Sequence, residues 1–428
     1  MKKFIQKLIA KKAKKILAEH QPTIVAITGS VGKTSARNAI AAVLDQKYRV
    51  RTNIENYNNE FGVPLTIIGA KSPGKSVIGW LKILFKKQPK DYPNMLVLEY
   101  GADHPGDILY LCDLAKPEVG VLTAISPVHA ENFGTIEKLT EEKAIVVEQA
   151  MSLVVLNADE SRVMEVKEKA KAQVITCGFS DKAQVRAENF RLETREDFSF
   201  EPGEQFSEIH FDVVLSDHNQ SGEIVLVNHL GQTSVNAALC AISIGLYFNL
   251  SLDEINQGLQ GFIPQAGRMR PIPGIKGSLI LDDSYNAAPA SMQAALRVLE
   301  QFEVTEKSKR IAALGAMGEL GQYSVDEHQR LGAQVAKQGI DLLVTVGEPA
   351  QDIDRGAKAA GMNENQIIHF ATSQEAGRYL DREIKKGDVV VVKGSQSMRM
   401  EKVVKDLMAE PMKAGGLLVR QYGKWLEE

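Results

Sequence analysis

The 428-residue chain has few cysteines and no long apolar run. Its three cysteines, Cys112, Cys177 and Cys240, lie far apart, fit no metal-ligand spacing and cannot all pair internally, which is typical of the reducing cytosol. No apolar run approaches the roughly 18 residues that a membrane-spanning helix needs. Neither charge dominates, with 51 Lys and Arg against 54 Asp and Glu. The charge balance predicts no nucleic-acid partner, and the length predicts two or three globular domains.

The first 17 residues are the exception, because they contain seven lysines and no acidic residue. Apolar residues recur between the lysines at helical spacing, so residues 1–21 are predicted to form a basic amphipathic helix. Lysines interrupt any signal-peptide core, and no small-residue cleavage site follows. Such a helix is suited either to peripheral contact with an anionic membrane or to packing on the next domain with its lysines in water.

After Pro22, short apolar runs alternate with helical segments, a pattern typical of βαβ units on a parallel sheet. Between about residues 184 and 227 polar and apolar residues alternate instead, which predicts an antiparallel sub-sheet. Gly, Pro and Arg cluster in residues 262–277, and a second series of five βα units follows. We therefore predict an α/β protein with an ATP-binding domain over residues 22–267 and a Rossmann-like domain over residues 268–428.

The sharpest local motif is TGSVGKTS, which lies between a predicted strand and a predicted helix. This is the context of a phosphate-binding loop (P-loop), in which glycines let backbone N–H groups approach phosphate oxygens. Lys33 is expected to contact the β- and γ-phosphates of ATP, and the Thr34 hydroxyl to bind Mg²⁺. Ile27 stands where the first glycine of the standard pattern belongs, so the loop is a shorter form. Its predicted nucleotide-binding residues are Gly29, Ser30, Val31, Gly32, Lys33, Thr34 and Ser35.

Further motifs follow in order along the chain: TNIENYNNEFGVPLTI, LEYGADHPGDI, TAISPVHAENFGTIEKLTEEK, GRMRP, LDDSYNAAPASM, LGAMGELG and VKGSQSM. In this order and spacing, the chain from Thr23 to about Leu407 resembles the Mur ligases of bacterial cell-wall synthesis. The resemblance implies an ATP- and Mg²⁺-dependent ligase that activates a carboxylate as an acyl phosphate and joins it to an amine. The implied substrates are a peptidoglycan-type precursor and D-alanyl-D-alanine or another amino acid or dipeptide.

The resemblance also assigns metal-binding and catalytic roles. Glu99 and His129, each near the end of a predicted strand, correspond to Mg²⁺ ligands. Lys143 corresponds to a lysine that the family often carbamylates with CO₂, which turns a neutral amine into an anionic oxygen ligand for Mg²⁺. The local alternative is a surface lysine paired with a neighbouring glutamate, Glu141 or Glu142. The implied catalytic residues are Lys33, His129, Lys143 and Arg268.

The remaining implied contacts surround the nucleotide and the substrates. Arg268, at the domain boundary, is expected to clamp phosphate with its guanidinium group. The resemblance places Asn236 at the adenine and Asp283 at the ribose, with Tyr285 and Asn286 beside the adenosine. The implied substrate-binding residues are Asn56, Asn58, Asn59, Lys393 and Ser395.

One part of the family pattern has no counterpart in the sequence. Mur ligases of this kind usually carry an N-terminal domain that holds the UDP-sugar, but only Met1 to Pro22 precede the first predicted strand. We therefore expect this domain to be lacking, which leaves recognition of a UDP-linked precursor open. The basic and apolar insert at residues 70–93, together with the N-terminal helix, suggests a lipid-linked acceptor instead.

Two alternatives to a cell-wall ligase stay open at this stage. One is another ligase of the wider group, of the folylpolyglutamate or cyanophycin type. The other is a nucleotide-gated scaffold for wall synthesis without turnover, which the intact Lys33 and Glu99 disfavour. The resemblance implies a cytoplasmic enzyme, and the basic elements extend this prediction to the inner face of the membrane.

Overall fold

The computed structural model describes residues 2–54, 56–127, 130–216 and 220–426. Within these ranges the strands form one sheet of nine strands and one of six. The strands of the first sheet are β1 (Thr23–Thr28), β2 (Val50–Thr52), β3 (Met95–Glu99), β4 (Val119–Leu122), β5 (Leu153–Asn157), β6 (Gln173–Gly178), β7 (Val185–Thr194), β8 (Ser207–Leu215) and β9 (Gln220–Val227). The strands of the second are β10 (Arg270–Pro273), β11 (Leu279–Asp283), β12 (Arg310–Gly315), β13 (Leu342–Val346), β14 (Ile367–Phe370) and β15 (Val389–Lys393).

Helices connect the strands in both halves of the chain. The first half contains α1 (Lys2–His20), α2 (Lys33–Leu44), α3 (Gly62–Ile68), α4 (Val77–Phe85), α5 (Asp107–Leu114), α6 (Ala130–Phe133), α7 (Ile136–Gln149), α8 (Ser161–Glu165), α9 (Gln232–Tyr247) and α10 (Leu252–Leu259). The second contains α11 (Pro289–Glu300), α12 (Ser324–Lys337), α13 (Gln351–Ala359), α14 (Ser373–Glu383), α15 (Glu401–Leu407) and α16 (Ala414–Leu417).

The first sheet has the strand order β2-β3-β1-β4-β5-β6-β7-β8-β9 and is parallel as far as β7. Its central strands are apolar on both faces because helices cover both faces. Helices α2, α9 and α10 pack on one face, whereas α1, α3, α5 and α7 pack on the other. Strands β7, β8 and β9 pair antiparallel, as the alternating pattern predicted, and β8 alternates buried and half-buried residues.

The second sheet has the order β10-β11-β15-β12-β13-β14 and is parallel from β11 onward. Helices α11 to α13 cover one face and α14 to α16 the other, so the five predicted βα units form a doubly wound sheet. The predicted fold class is thereby confirmed, while the domain boundaries at residues 22 and 267 stay predictions. Strand β10 lies within the Gly-, Pro- and Arg-rich residues 262–277, where no strand was predicted. Its two prolines cannot donate to a central ladder. It is an edge strand, where proline is tolerated.

Helix α1 forms as predicted, but its apolar stripe faces the protein. Ile9, Ala13 and Ile16 are buried in the same core as α3, whereas six of the seven lysines are exposed. The seventh, Lys12, donates hydrogen bonds to two carbonyl groups at the end of α4. The apolar stripe of α1 therefore packs on the protein, as one of the two alternatives predicted, whereas contact of its lysines with a membrane stays a prediction. In the part of the chain that the structure describes, no helix combines the length and apolar character needed to cross a membrane.

Candidate active site

A cavity of about 910 Å³ lies where the carboxyl ends of the two sheets face each other. The segments after β1 and β3 line it from the first sheet, and those after β11 and β15 line it from the second. This is the edge at which α/β sheets bind ligands. Of the twenty predicted site residues, sixteen line it: Ser30, Val31, Gly32, Lys33, Thr34, Ser35, Asn56, Asn58, Asn59, Glu99, Arg268, Asp283, Tyr285, Asn286, Lys393 and Ser395.

The P-loop follows β1 and depends on two glycines. Gly29 passes so close to the Thr123 hydroxyl that a Cβ atom would collide with it. Gly32 has a φ of 86° and precedes α2, whose first turn has no side-chain cap. The backbone N–H groups at this helix end are therefore open to an anion. Ser30 N donates to Ala124 O at 2.7 Å, which anchors the loop to the segment after β4.

Two lysines meet at one carbonyl group of this loop. Lys33 Nζ and Lys143 Nζ donate to Gly29 O at 2.7 and 3.2 Å. Lys143 is only 2% exposed, and burial together with the charge of Lys33 lowers the pKa of Lys143 to about 7. The alternative of a surface lysine is therefore wrong. Glu142, one of its suggested partners, accepts hydrogen bonds from two backbone N–H groups around the start of α5.

Glu99 ends β3 beside the P-loop and is buried. Its two carboxylate oxygens accept hydrogen bonds from Thr34 Oγ1 at 2.9 Å and from Asn58 Nδ2 at 3.1 Å. Burial alone raises the pKa of Glu99, but the charges of Lys33 and Arg37 and the two hydrogen bonds hold it below its usual value. The site thus keeps a carboxylate ionised next to a hydroxyl, and both supply hard oxygen atoms.

Arg268 connects the two halves of the cavity. Its guanidinium donates to Thr34 Oγ1 at 3.4 Å and lies 4.0 Å from the centre of the Tyr285 ring. The Tyr285 hydroxyl donates to Asn56 Oδ1 in the segment after β2. These contacts place a fixed cation, an aromatic ring and the asparagine-rich loop on the same side of the cavity.

Lys393 and Asp283 form an ion pair on the second sheet. Lys393 Nζ lies 2.7 Å from Asp283 Oδ2 and donates to Asn286 O at 2.8 Å. The two residues are neighbours because β15 pairs with β11. Burial lowers the pKa of Lys393 against the attraction of Asp283. Ser395, two residues further on, contacts the Ser397 hydroxyl at 3.2 Å.

Four predicted residues are not among those that line the cavity. Gly29 belongs to the P-loop but faces away from the cavity, and Lys143 donates to the Gly29 carbonyl from behind the loop. Asn236 is on α9, one turn beyond Thr233, which does line the cavity. The Asn236 Oδ1 atom is buried and has no hydrogen-bond partner within the part of the chain that the structure describes. His129 lies outside the described residues.

Several residues of the site were missed at the sequence level. Arg37 lies one turn after Lys33 and 3.8 Å from Glu99, and its place on a buried helical face was the available signal. Asp282 is the buried neighbour of the predicted Asp283 and accepts a hydrogen bond from Gly267 N at 3.0 Å. No local pattern marks Trp425, which reaches the cavity from the end of the chain.

Comparison with known proteins identifies the family. Residues 27–245 match the Mur ligase middle domain, and residues 267–396 match the Mur ligase glutamate ligase domain. This protein belongs to the Mur ligase family. The prediction of a Mur-type ligase is thereby confirmed, and the matched regions contain all sixteen of the cavity residues predicted from the sequence.

The relatives of this Mur ligase described next have names that refer to the same type of ligase. The UDP-N-acetylmuramoyl-tripeptide–D-alanyl-D-alanine ligase of Bacillus subtilis is 27% identical, over 94% of this chain and 79% of the relative. A crystal structure of MurF from Acinetobacter baumannii has a TM-score of 0.77 at 24% identity, covering 93% of this chain and 79% of that one. MurF of Thermotoga maritima, in complex with ADP, has a TM-score of 0.75 at 23% identity, with coverage of 95% and 84%.

Proposed function

We propose that this Mur ligase uses ATP to join D-alanyl-D-alanine, or a similar amino acid or dipeptide, to a peptidoglycan-type muramoyl peptide. The observation that carries the proposal is the single cavity in which the P-loop, the Glu99–Thr34 pair and Arg268 converge. The names of the relatives supply the substrate pair. The cavity also has the mixed polar lining that a nucleotide and two small substrates require.

The nucleotide is expected to extend from the P-loop toward the second sheet. Open N–H groups at the start of α2 and the Lys33 ammonium suit the phosphates. Asp283 lies where its carboxylate can accept ribose hydroxyl groups, beside Tyr285 and Asn286. The unsatisfied Oδ1 of Asn236 suits the exocyclic amine of adenine, which donates hydrogen bonds.

Mg²⁺ fits the donor set at the P-loop. Thr34 and Glu99 offer a hydroxyl and an ionised carboxylate in direct contact, and Mg²⁺ in phosphate-transfer sites is typically held by one or two carboxylates plus substrate phosphates. When bound, the ion neutralises charge on the transferred phosphoryl group. His129 is proposed as a ligand of a second Mg²⁺ from its sequence position alone.

Lys143 is proposed as the site of carbamylation. The reaction requires a neutral amine, and the lowered pKa of about 7 makes a large neutral fraction available near neutral pH. The Lys143 amine attacks CO₂, loses one proton and becomes an anionic carbamate. A carbamate there would exchange the repulsion between Lys143 and Lys33 for attraction and add an oxygen ligand for Mg²⁺.

The chain's residues then act mainly by position and charge. A carboxylate oxygen of the acceptor attacks the γ-phosphorus of ATP, ADP leaves, and an acyl phosphate forms. The amine nitrogen attacks the acyl carbon, loses a proton and expels phosphate, which leaves the amide. Lys33 and Arg268 stabilise charge on the phosphoryl group, and closure of the cavity over the substrates would keep water from the acyl phosphate. Asn56, Asn58 and Asn59 are proposed to border the acceptor, and Lys393 and Ser395 the amine.

The direct test is product formation by the purified protein. With ATP, Mg²⁺, a UDP-N-acetylmuramoyl tripeptide and D-alanyl-D-alanine, we expect one ADP released for each peptide product identified by mass. Lipid-linked acceptors and single amino acids belong in the same screen. ATP hydrolysis that does not depend on the amine, with no ligated product from any pair, would contradict the proposal and favour the scaffold.

We also propose that the enzyme works in the cytoplasm at the inner face of the membrane, through peripheral contact by its N-terminal helix. The six exposed lysines of α1 support this contact, because lysines are attracted to anionic lipid headgroups.

A further inference from the structure

Helix α4 has a second apolar face that points away from the core. Val77, Ile78, Leu81 and Phe85 are 63%, 68%, 49% and 81% exposed. Their spacing places all four within an arc of about 100° around the helix axis. Ile83, on the opposite side of the helix, is buried in the core that also holds α1 and α3. The helix is therefore anchored by one face and presents the other to solvent.

Exposed apolar side chains are concentrated in this part of the molecule. Among the described residues twelve large hydrophobic side chains are exposed, and five of them belong to α4 and to Phe4 of α1. The other seven are dispersed over the rest of the chain. Scattered exposed residues are normal, whereas a contiguous apolar face marks an interaction surface.

Lysines surround this face. Residues 1–20 and 70–93 together contain thirteen lysines and two acidic residues, and hence a formal charge of +11. Because the whole chain has a charge of −3, the other residues carry −14. The two segments are in contact, since Lys12 Nζ donates to Leu84 O and Lys86 O at 2.6 Å. An apolar strip and a strongly positive surface thus form one unit.

This unit adjoins the asparagine-rich side of the cavity. Ser72 N donates to the Tyr57 hydroxyl at 2.8 Å, and Lys2 Nζ lies 5.2 Å from the centre of the Phe61 ring. Tyr57 and Phe61 flank Asn58 and Asn59, which line the cavity. A surface on which the unit docks would therefore lie close to the proposed acceptor end of the site.

We propose that α4 inserts its apolar face into an anionic lipid bilayer while the lysines of α1 and of residues 70–93 contact lipid phosphates. The inference rests on the peripheral membrane contact proposed above, and it assigns the inserting element to α4, because the apolar stripe of α1 is already buried. An apolar face rimmed by lysines matches the interface of an anionic bilayer, where chains lie below the negative headgroups. Each lysine near such a surface contributes about fivefold to partitioning.

The test is flotation of the full-length protein with vesicles. We expect recovery with vesicles of phosphatidylcholine containing about a third phosphatidylglycerol, and little recovery with phosphatidylcholine alone or at high salt. The variant Ile78→Glu/Phe85→Glu should lower the bound fraction at least tenfold. The matched control Val325→Glu/Met412→Glu changes two exposed apolar residues of the second half to the same charge and should float like the wild type.

Nucleotide binding by each variant, followed in solution, checks that the protein is folded. Because flotation needs no turnover, a protein that floats but ligates nothing contradicts the proposed activity alone. A wild-type protein that stays wholly in the soluble fraction overturns the docking proposal. So does a concentration-dependent dimer that the α4 substitutions abolish without any vesicle binding, because the face would then be covered by a second copy.

Discussion

The two walls of the cavity hold buried lysines in opposite electrostatic settings. On the first sheet Lys33 and Lys143 share the carbonyl of Gly29, and among the described residues neither is hydrogen-bonded to a carboxylate. On the second sheet Lys393 is paired with Asp283 at 2.7 Å. The P-loop wall therefore keeps lysine charge that can attract phosphate. On the other wall, the charge of Lys393 is largely neutralised by Asp283 even without a ligand. The first wall is suited to transition-state stabilisation and the second to positioning.

The largest effect should come from removing the P-loop charge. Lys33→Ala is expected to lower turnover by about a thousandfold, because charge that stabilises the transferred phosphoryl group is lost, while the fold is retained. ADP release and thermal unfolding measure the two effects, with the exposed Lys307→Ala as control. Turnover close to that of the wild type would remove the basis for assigning the P-loop to catalysis.

Breaking the ion pair of the second wall should act on stability instead. Asp283→Asn leaves the Lys393 charge buried without its partner and is expected to cost about 3–5 kcal/mol in the free energy of unfolding. The double variant Asp283→Asn/Lys393→Met removes both charges and should recover most of that loss. Denaturant unfolding of the three proteins tests this. If the double variant is as unstable as the single one, the pairing does not explain the cost.

Arg268 joins the walls, so its replacement should affect both charge and geometry. Arg268→Lys keeps the charge but loses the planar group stacked on Tyr285, and turnover is expected to fall by about a hundredfold. Tyr285→Phe keeps the ring and should lose less. Steady-state ADP release ranks the variants, and a loss for Tyr285→Phe as large as that for Arg268→Lys would contradict the stacking on the ring as the cause of the effect.

The last prediction concerns the pH dependence of stability, where the change within one pH unit is smaller than each effect above. Burial and Lys33 lower the pKa of Lys143 to about 7 from 10.5, so between these values the unfolded chain binds the extra proton. Stability should then rise with pH in that window, by at most about 1.4 kcal/mol per pH unit. Lys143→Met should lack this rise. Denaturant unfolding at several pH values in CO₂-free buffer compares the wild type with Lys143→Met. If the free energies of unfolding of the two proteins change in parallel with pH, the lowered pKa of Lys143 is refuted.

Much of the fold was predictable because periodicity reports burial directly. The apolar run TIVAIT, one of the short apolar runs after Pro22, forms β1, and the alternating residues of 184–227 form the antiparallel strands. Strand β10 was not predicted, because its prolines disfavour a strand except at the edge of a sheet, and the sequence does not show which strand lies at an edge. The sequence also could not show whether the apolar stripe of α1 faces a membrane or the protein core, because both environments favour the same apolar residues.

The site was predictable where its residues are local in sequence. The P-loop and the LDDSYN segment are short motifs, and all the site residues predicted within them except Gly29 line the cavity. Contacts between segments that are distant in sequence could not be predicted. Examples are the stacking of Arg268 on Tyr285 and the position of Trp425, near the end of the chain, at the cavity. Nor did the sequence near Lys143 reveal its burial, since the glutamates beside it suggested a surface helix.

The prolines of β10 have a consequence for self-association. In the pairing of β10 with β11, Arg270 and Ile272 alternate with Pro271 and Pro273, which have no N–H group to offer outward. The Pro273 carbonyl is already bonded to Ala409 N at 2.9 Å. A strand from another molecule would therefore meet few free backbone N–H and C=O groups to pair with at this edge. The second sheet ends at β10, protected from the edge-to-edge pairing that begins aggregation.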